Sequence, residues 1–224
     1  AGSGASEIRR YLIHEDLVEA IVQLPTDLFY NTGISTYIWV LTKGKAMERS
    51  GRVQLIDASK CFVKRRKNIG SKRVDLDESC IKLILKAYEG FADAVYTDDS
   101  LSVESKVFEN DFFGFTKVTV ETALTDENGK PVLKKGKMQP VKGASDSEII
   151  PLGEDRDAYM QKNVLPYNPL AYVDPAKDKI GYEIPFTRLF YKFVAPESSA
   201  AIFEDIKALE AQETVLMKEL FGNA

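Results

Sequence analysis

Histidine is almost missing from this sequence and cysteine nearly so: one His and two Cys in 224 residues. His14, Cys61 and Cys80 cannot supply a tetrahedral zinc site from Cys and His alone. The cysteines show no CxxC spacing, and two free thiols in a reducing compartment are the simplest account of them. No apolar run reaches the ~18 residues needed to span a bilayer. There is no GxGxxG and no P-loop, so no phosphate cradle is visible, and no GxSxG elbow presents a serine nucleophile. His14 lies beside Glu15 at an expected helix end and reads as a surface residue. An overall basic charge is also lacking. Thirty Lys and Arg against 34 Asp and Glu give a net charge of −4 and a pI near 5.3. That excludes a binder of nucleic acid by global charge and leaves room for a local basic patch. Acidic pairs such as Asp98-Asp99 and Glu154-Asp155 read as solvated loop residues.

The opening Ala1-Gly2-Ser3-Gly4-Ala5-Ser6 has no initiator methionine, basic segment or apolar segment, so it is not a signal peptide. It reads as the inside of a loop, and the chain is expected to be a fragment of something longer. The remaining composition, 44% hydrophobic and 29% charged, suits a soluble globular chain with a real core.

Ile8, Leu12 and Ile13 fall at helical spacing and predict a helix over Ser6 to Glu15. Leu17 to Leu24 is a short apolar run closed by Pro25, which suits a strand buried on both faces. Ile34 to Thr42 and Arg52 to Ala58 read as two further strands, and their short link predicts antiparallel pairing between them. Between the first two strands lies Thr26-Asp27-Leu28-Phe29-Tyr30-Asn31-Thr32-Gly33, a polar loop with two adjacent aromatics. Asn31 and Gly33 supply turn geometry, with Phe29 packed inward and Tyr30 at an edge, unless the loop covers a pocket and offers a ring to a flat ligand. Lys60 to Arg73 is a charge run with no acid, read as a basic loop. Asp77 is placed to cap a helix carrying Ile81, Ile84, Leu85 and Tyr88.

Val103 to Phe108 and Phe115 to Glu121 read as strands. Thr125 to Ser147 reads as a flexible surface excursion, with a hairpin at Asn128-Gly129. A short helix is expected over Asp155 to Val164, followed by a loop-rich stretch from Pro166 to Pro185. In the last element, from Pro196, Ile202, Ile206, Leu209, Leu216 and Leu220 follow the four-and-three spacing of a coiled-coil stripe, interrupted by Glu213. That stripe either folds back on the chain's own core or docks on a partner.

One segment carries a resemblance. EIRRYLIHEDLVEAIVQLPTDLFYNTGISTYIWVLTK, Glu7 to Lys43, closely resembles the modification subunit of type I restriction–modification systems, which are S-adenosylmethionine-dependent, adenine-N6-specific DNA methyltransferases. Val53 to Ser59, Phe113 to Glu121 and Val164 to Tyr191 continue it more loosely. The resemblance implies an α/β fold: the C-terminal half of a Rossmann-like class I methyltransferase sheet, open and mixed with an antiparallel last strand pair, plus an α+β extension and a C-terminal helix. The expected division is 1–60 for the half-sheet, 61–195 for the extension and 196–224 for a docking helix.

The family's glycine-rich cofactor loop and its Asn-Pro-Pro-Phe motif are both absent from this sequence. The cofactor is therefore expected in the parent enzyme and not here, and the fragment should be inactive alone. By position, Phe29 or Tyr30 matches the aromatic that stacks on an extruded adenine, with Asn31, Thr32 and Gly33 shaping the turn. Lys64, Arg65, Arg66 and Lys67 are expected to contact DNA phosphates. Ile202, Ile206, Leu209, Leu216 and Leu220 are expected to dock on the specificity subunit, or on a second copy of the fragment when that partner is lacking. The restriction subunit, a second modification subunit and a prokaryotic cytoplasmic location follow from the same resemblance. The competing readings are a non-catalytic nucleic-acid-binding module and a protein-interaction module using the last helix.

Overall fold

The computed structural model describes residues 1–222. The first helix, α1 (Gly4–His14), is capped by Ser3, whose side chain accepts the Ser6 amide. The start therefore lies two residues earlier than the sequence predicts. Ser6 is buried instead, and its Oγ accepts the Tyr182 amide at 3.0 Å.

Strand β1 (Val18–Gln23) lies inside the first sheet with Val18, Ala20, Ile21 and Val22 all buried, as its mostly apolar sequence requires. β2 (Tyr37–Leu41) pairs with it antiparallel and β3 (Arg52–Asp57) pairs parallel on its other side. The expected pairing of β2 with β3 is thus replaced by two strands flanking β1. The link Lys43 to Gly51 is long enough to cross over the end of β1, and β1 offers the apolar surface that both neighbours need. Arg49 shows how the crossing is held.

The basic run forms a hairpin, β4 (Val63–Ile69) and β5 (Lys72–Asp75), rather than a loop. Helix α2 (Glu78–Gly90) starts at Asp77, whose carboxylate accepts the Cys80 amide at 2.9 Å. Its buried face is Cys80, Leu83 and Ala87, while Ile81 and Leu85 are exposed. β6 (Ala94–Asp98), not anticipated from the sequence, and β7 (Leu101–Glu109) complete an open mixed sheet in the order β2-β1-β3-β7-β6. Because β3 pairs with β7, this sheet continues past residue 60, where the sequence suggested a boundary.

A second sheet is built on β8 (Gly114–Ala123), where Val118 and Val120 are buried in alternation. After the small hairpin β9 (Leu133–Lys134) and β10 (Lys137–Met138), β11 (Pro140–Pro151) lies antiparallel along β8. The end of the expected excursion is therefore a paired strand. A Thr125–Pro131 bridge closes a turn over Asn128-Gly129 as predicted. Helix α3 (Arg156–Asn163) contributes Met160 to the core of this sheet. β12 (Ala171–Val173) and β13 (Lys179–Tyr182), within the stretch expected to be loop-rich, pair with the free side of β8. The chain divides into two compact units, Ala1–Phe186 and a second beginning at Thr187. Short α4 (Phe186–Phe190) falls at that division, and the second unit contains α5 (Ser199–Phe221), capped by Ser198.

Three polar clusters tie the first unit together. Arg49 is buried: it donates to Gln54 at 3.2 Å and to the Tyr88 carbonyl at 2.6 Å, lies 3.6 Å from Glu19, and stacks on the Tyr88 and Phe91 rings. Tyr88 in turn donates to Glu19. Asp16, at the end of α1, accepts from Lys45 at 2.5 Å, the Gly51 amide at 3.0 Å and Asn110 at 2.8 Å. Burial pushes Asp16 up, but these hydrogen bonds outweigh it and hold the carboxyl below its usual range. In the second sheet, Glu121 is held low by hydrogen bonds from Lys177 and Tyr172. Burial, reinforced by that bond to Glu121, pushes the Tyr172 hydroxyl up to about 12.

A pH dependence follows with a definite sign. Carboxyls whose folded pKa is depressed stabilise fully above their unfolded values, 3.8 for Asp16 and 4.5 for Glu121, and lose that contribution as pH falls through the depressed values. Thermal unfolding followed by circular dichroism should show a melting temperature that drops as the solution is acidified below 4.5. Asp16→Asn with Glu121→Gln should melt lower at neutral pH and flatten that acid limb. An acid limb of unchanged steepness in the double variant would assign the effect to other carboxylates.

Candidate nucleic-acid interface

The loop between β1 and β2 is built from its ends inward. Pro25 and Leu28 are buried, and Leu28 packs in the same core cluster as Cys61, Val74, Cys80 and Leu83. Leu28 is therefore the anchor, where the sequence suggested Phe29. Asp27 has a φ of 57°, a left-handed conformation that Asp tolerates better than most residues, and it turns the chain outward. Phe29 bridges Thr32, leaving Tyr30 and Asn31 at the tip of a tight turn. Phe29 and Tyr30 are 44% and 56% exposed, so both rings face solvent. A Cβ at Gly33 would lie 2.7 Å from an Asp27 carboxylate oxygen, so a larger residue there would push that side chain aside.

The basic hairpin packs directly against this loop. The Arg73 amide donates to the Asp27 carbonyl at 2.8 Å, and the Ser71 amide donates to the Tyr30 carbonyl at 2.8 Å. Gly70 has a φ of 59°, and a Cβ there would meet the Tyr30 carbonyl oxygen at 2.6 Å. Lys72 Nζ sits 5.5 Å from the centre of the Tyr30 ring, within cation–π range. The structure thus brings together two features that the sequence presented separately: the aromatic pair and the charge run.

The four cations singled out in the sequence do not behave alike. Arg65 is committed, at 2.5 Å to Asp75 and through Nε to the Lys67 carbonyl. Asp75 also binds Lys72 at 2.8 Å, and it titrates low because of the hydrogen bond from Lys72 and the charge of Arg65. Lys64, Arg66 and Lys67 are exposed and make no ion pair among the described residues, and Arg73 joins them on β5. Nearby, a cleft of about 540 Å³ lies between Lys60, Lys64, Asp77 and the β6–β7 turn at Asp98 and Asp99. Lys72 and Arg73 belonged to the charge run without being assigned a contact, and Gly70 and Asp27 were given no role from the sequence. The Gly70 turn flanked by two charged runs was the available signal, but the lysines and arginines leave no apolar alternation to mark a hairpin.

This face offers an aromatic surface and free cations. His14, exposed beside Glu15, lies on α1. Cys61 and Cys80 are buried free thiols, and burial pushes Cys61 up to about 12. Among the described residues no His, Cys, Asp and Glu group could hold a metal ion, and no helix is long and apolar enough to cross a membrane. Ile202, Ile206, Leu209, Leu216 and Leu220 all lie exposed on α5.

The candidate site is thus an aromatic loop at a strand end with a basic hairpin against it, carried by an open mixed α/β sheet. Residues 1–128 match the family model described as N-6 DNA Methylase, and the chain belongs to that family. It is 37% identical over 92 residues to the type I restriction enzyme MjaVIII methylase subunit of Methanocaldococcus jannaschii, covering 41% of this chain and 16% of that protein. It is 34% identical over 146 residues to the MjaIX methylase subunit of the same organism, covering 63% and 23%. The HindI methylase subunit of Haemophilus influenzae is 33% identical over 132 residues, covering 58% and 29%. Among solved structures, the methyltransferase subunit of the type I restriction-modification system from Streptococcus thermophilus matches 50% of this chain and 21% of its own, at 24% identity and a TM-score of 0.40. The chain spans 16 to 29% of the length of these curated relatives.

N6 methyltransferases generally use S-adenosylmethionine. The sequence contains no glycine-rich loop of the GxGxxG kind.

Proposed function

We propose that this chain is part of the modification subunit of a type I restriction–modification enzyme that methylates adenine N6 in DNA. On this reading the Tyr30 loop and the β4–β5 hairpin face the DNA around the target base, and α5 docks on the specificity subunit. The observation that carries it is the seating of the hairpin on the loop, which puts Lys64, Arg66 and Lys67 on the element that supports the Tyr30 turn. Reaching N6 requires the adenine to leave the stack at a cost of a few kcal/mol. A ring face stacked on the base returns about 1–3 kcal/mol of that. Cations beside the ring neutralise the flanking phosphates without reading sequence. The chain alone is inactive on this reading, because it lacks the cofactor loop and the Asn-Pro-Pro-Phe motif.

The test uses the full modification subunit reconstituted with its partners, on DNA carrying 2-aminopurine at the target adenine. Tyr30→Ala should reduce the fluorescence rise on binding and the methylation rate together, by about 5- to 150-fold for a loss of 1–3 kcal/mol. Tyr30→Phe should retain most of both, and the 224-residue chain alone should transfer no methyl group. An unchanged fluorescence rise in Tyr30→Ala would remove the loop from the base-binding role.

A further inference from the structure

None of the residues of α5 is buried, although its apolar side chains recur over its whole length. Their four-and-three spacing fixes a heptad register in which Ile202, Ile206, Leu209, Glu213, Leu216 and Leu220 form one seam. Glu213 therefore occupies a core seam position. The positions that border a seam normally decide partner choice, and here they are acidic wherever they are charged: Asp205, Glu210 and Glu219. Both lysines lie off the seam. Lys207 pairs with Glu204 at 3.1 Å within the helix and covers the Phe203 ring, and Lys218 points to the outer heptad position.

A second copy is a poor occupant of this face. In a parallel pair of α5 helices Glu213 meets Glu213, and Asp205 meets Glu210 of the other copy. In an antiparallel pair that sets Ile202 against Leu220, Glu210 meets Glu210 and Asp205 meets Glu219. Each arrangement places like charges in contact, and in the parallel one two carboxylates would share a desolvated seam.

We propose that α5 pairs with a helix of a different polypeptide, apolar along its own seam and carrying Lys or Arg where it faces Asp205, Glu210, Glu213 and Glu219. This rests on the reading of α5 as a docking helix. The acidic border admits that partner and, by the same charges, rejects a second copy of this chain.

The experiment titrates the full chain against two synthetic helical peptides of about three heptads, both with Leu at the seam. One carries Lys at the bordering positions and at one seam position; the other carries Glu there. Fluorescence anisotropy should show the Lys peptide binding at least about ten-fold tighter, from four charge pairs of modest worth, with the gap narrowing as salt rises. Ile206→Asp should eliminate the binding, which assigns it to the seam, and Glu213→Lys should shrink the preference. Equal affinity for the two peptides would overturn the charge selection alone. Binding of neither would overturn the docking reading of α5. A dimer of the chain that Ile206→Asp dissolves would make a second copy the occupant and overturn the proposal. None of these outcomes bears on the Tyr30 face.

Discussion

Arg49→Ala should lower the unfolding free energy by about 3–5 kcal/mol, a large part of the total for a domain of this size. The guanidinium is the only cation among the described groups contacting Glu19, and that carboxylate is itself almost enclosed. Removing Arg49 leaves Glu19 with the Tyr88 hydroxyl alone, strips Gln54 of one partner and leaves the Tyr88 and Phe91 rings without the cation between them. Breaking one side of a buried pair costs more than the pair contributes, because the other charge stays desolvated. Glu19→Gln together with Arg49→Met, which empties the site of charge while keeping its volume, should recover much of the loss. Urea unfolding monitored by Trp39 fluorescence measures both. A loss below about 1 kcal/mol for Arg49→Ala would show that water reaches Glu19 and that the site is not sealed.

The second large effect concerns the hairpin. Lys64→Gln, Arg66→Gln and Lys67→Gln together should lower the DNA affinity of the assembled enzyme uniformly across sequences. The slope of log affinity against log salt should shrink by about 3, since each phosphate contact releases close to one counterion. Arg65→Gln should leave that slope where it was and instead lower the melting temperature, because its guanidinium is spent on Asp75. A slope unchanged by the triple substitution would assign those three cations to solvent, leaving the aromatic loop with Lys72 and Arg73 as the DNA face.

The contrast between Arg65 and its neighbours marks where sequence reading stops. A run of Lys60, Lys64, Arg65, Arg66 and Lys67 shows that positive charge is concentrated there, but which cation is free depends on Asp75, across a strand pair that charge alone does not reveal. β1, α3 and the cap at Asp77 were legible because apolar runs and capping residues act over a few neighbours. β6 was not, since Ala94-Val95-Tyr96-Thr97-Asp98 is mostly exposed and, among the described strands, pairs with β7 alone. The order of β2, β1 and β3 was likewise misread, because loop length limits which strands can pair without choosing among those that can. Of the candidate interface, the aromatic pair and the charge run were visible separately. Their contact through Gly70 and Tyr30 is a long-range property of the fold.

The tie between α1 and β13 has a consequence for how the chain is made. β1, β2, β3, β6 and β7 all lie before residue 110, so none of these strands waits for a partner from the second sheet. β8 has no such luck: each of its partners, β11, β12 and β13, is synthesised after it. Helix α1 precedes all of these strands in the chain, yet Ser6 accepts from the Tyr182 amide and Arg9 donates to the Tyr182 carbonyl. Helix α1 therefore waits for β13, and a nascent chain stalled before β13 carries a β8 with one partner missing and an undocked α1. Both are surfaces on which a chaperone or a neighbouring nascent chain can act during that interval.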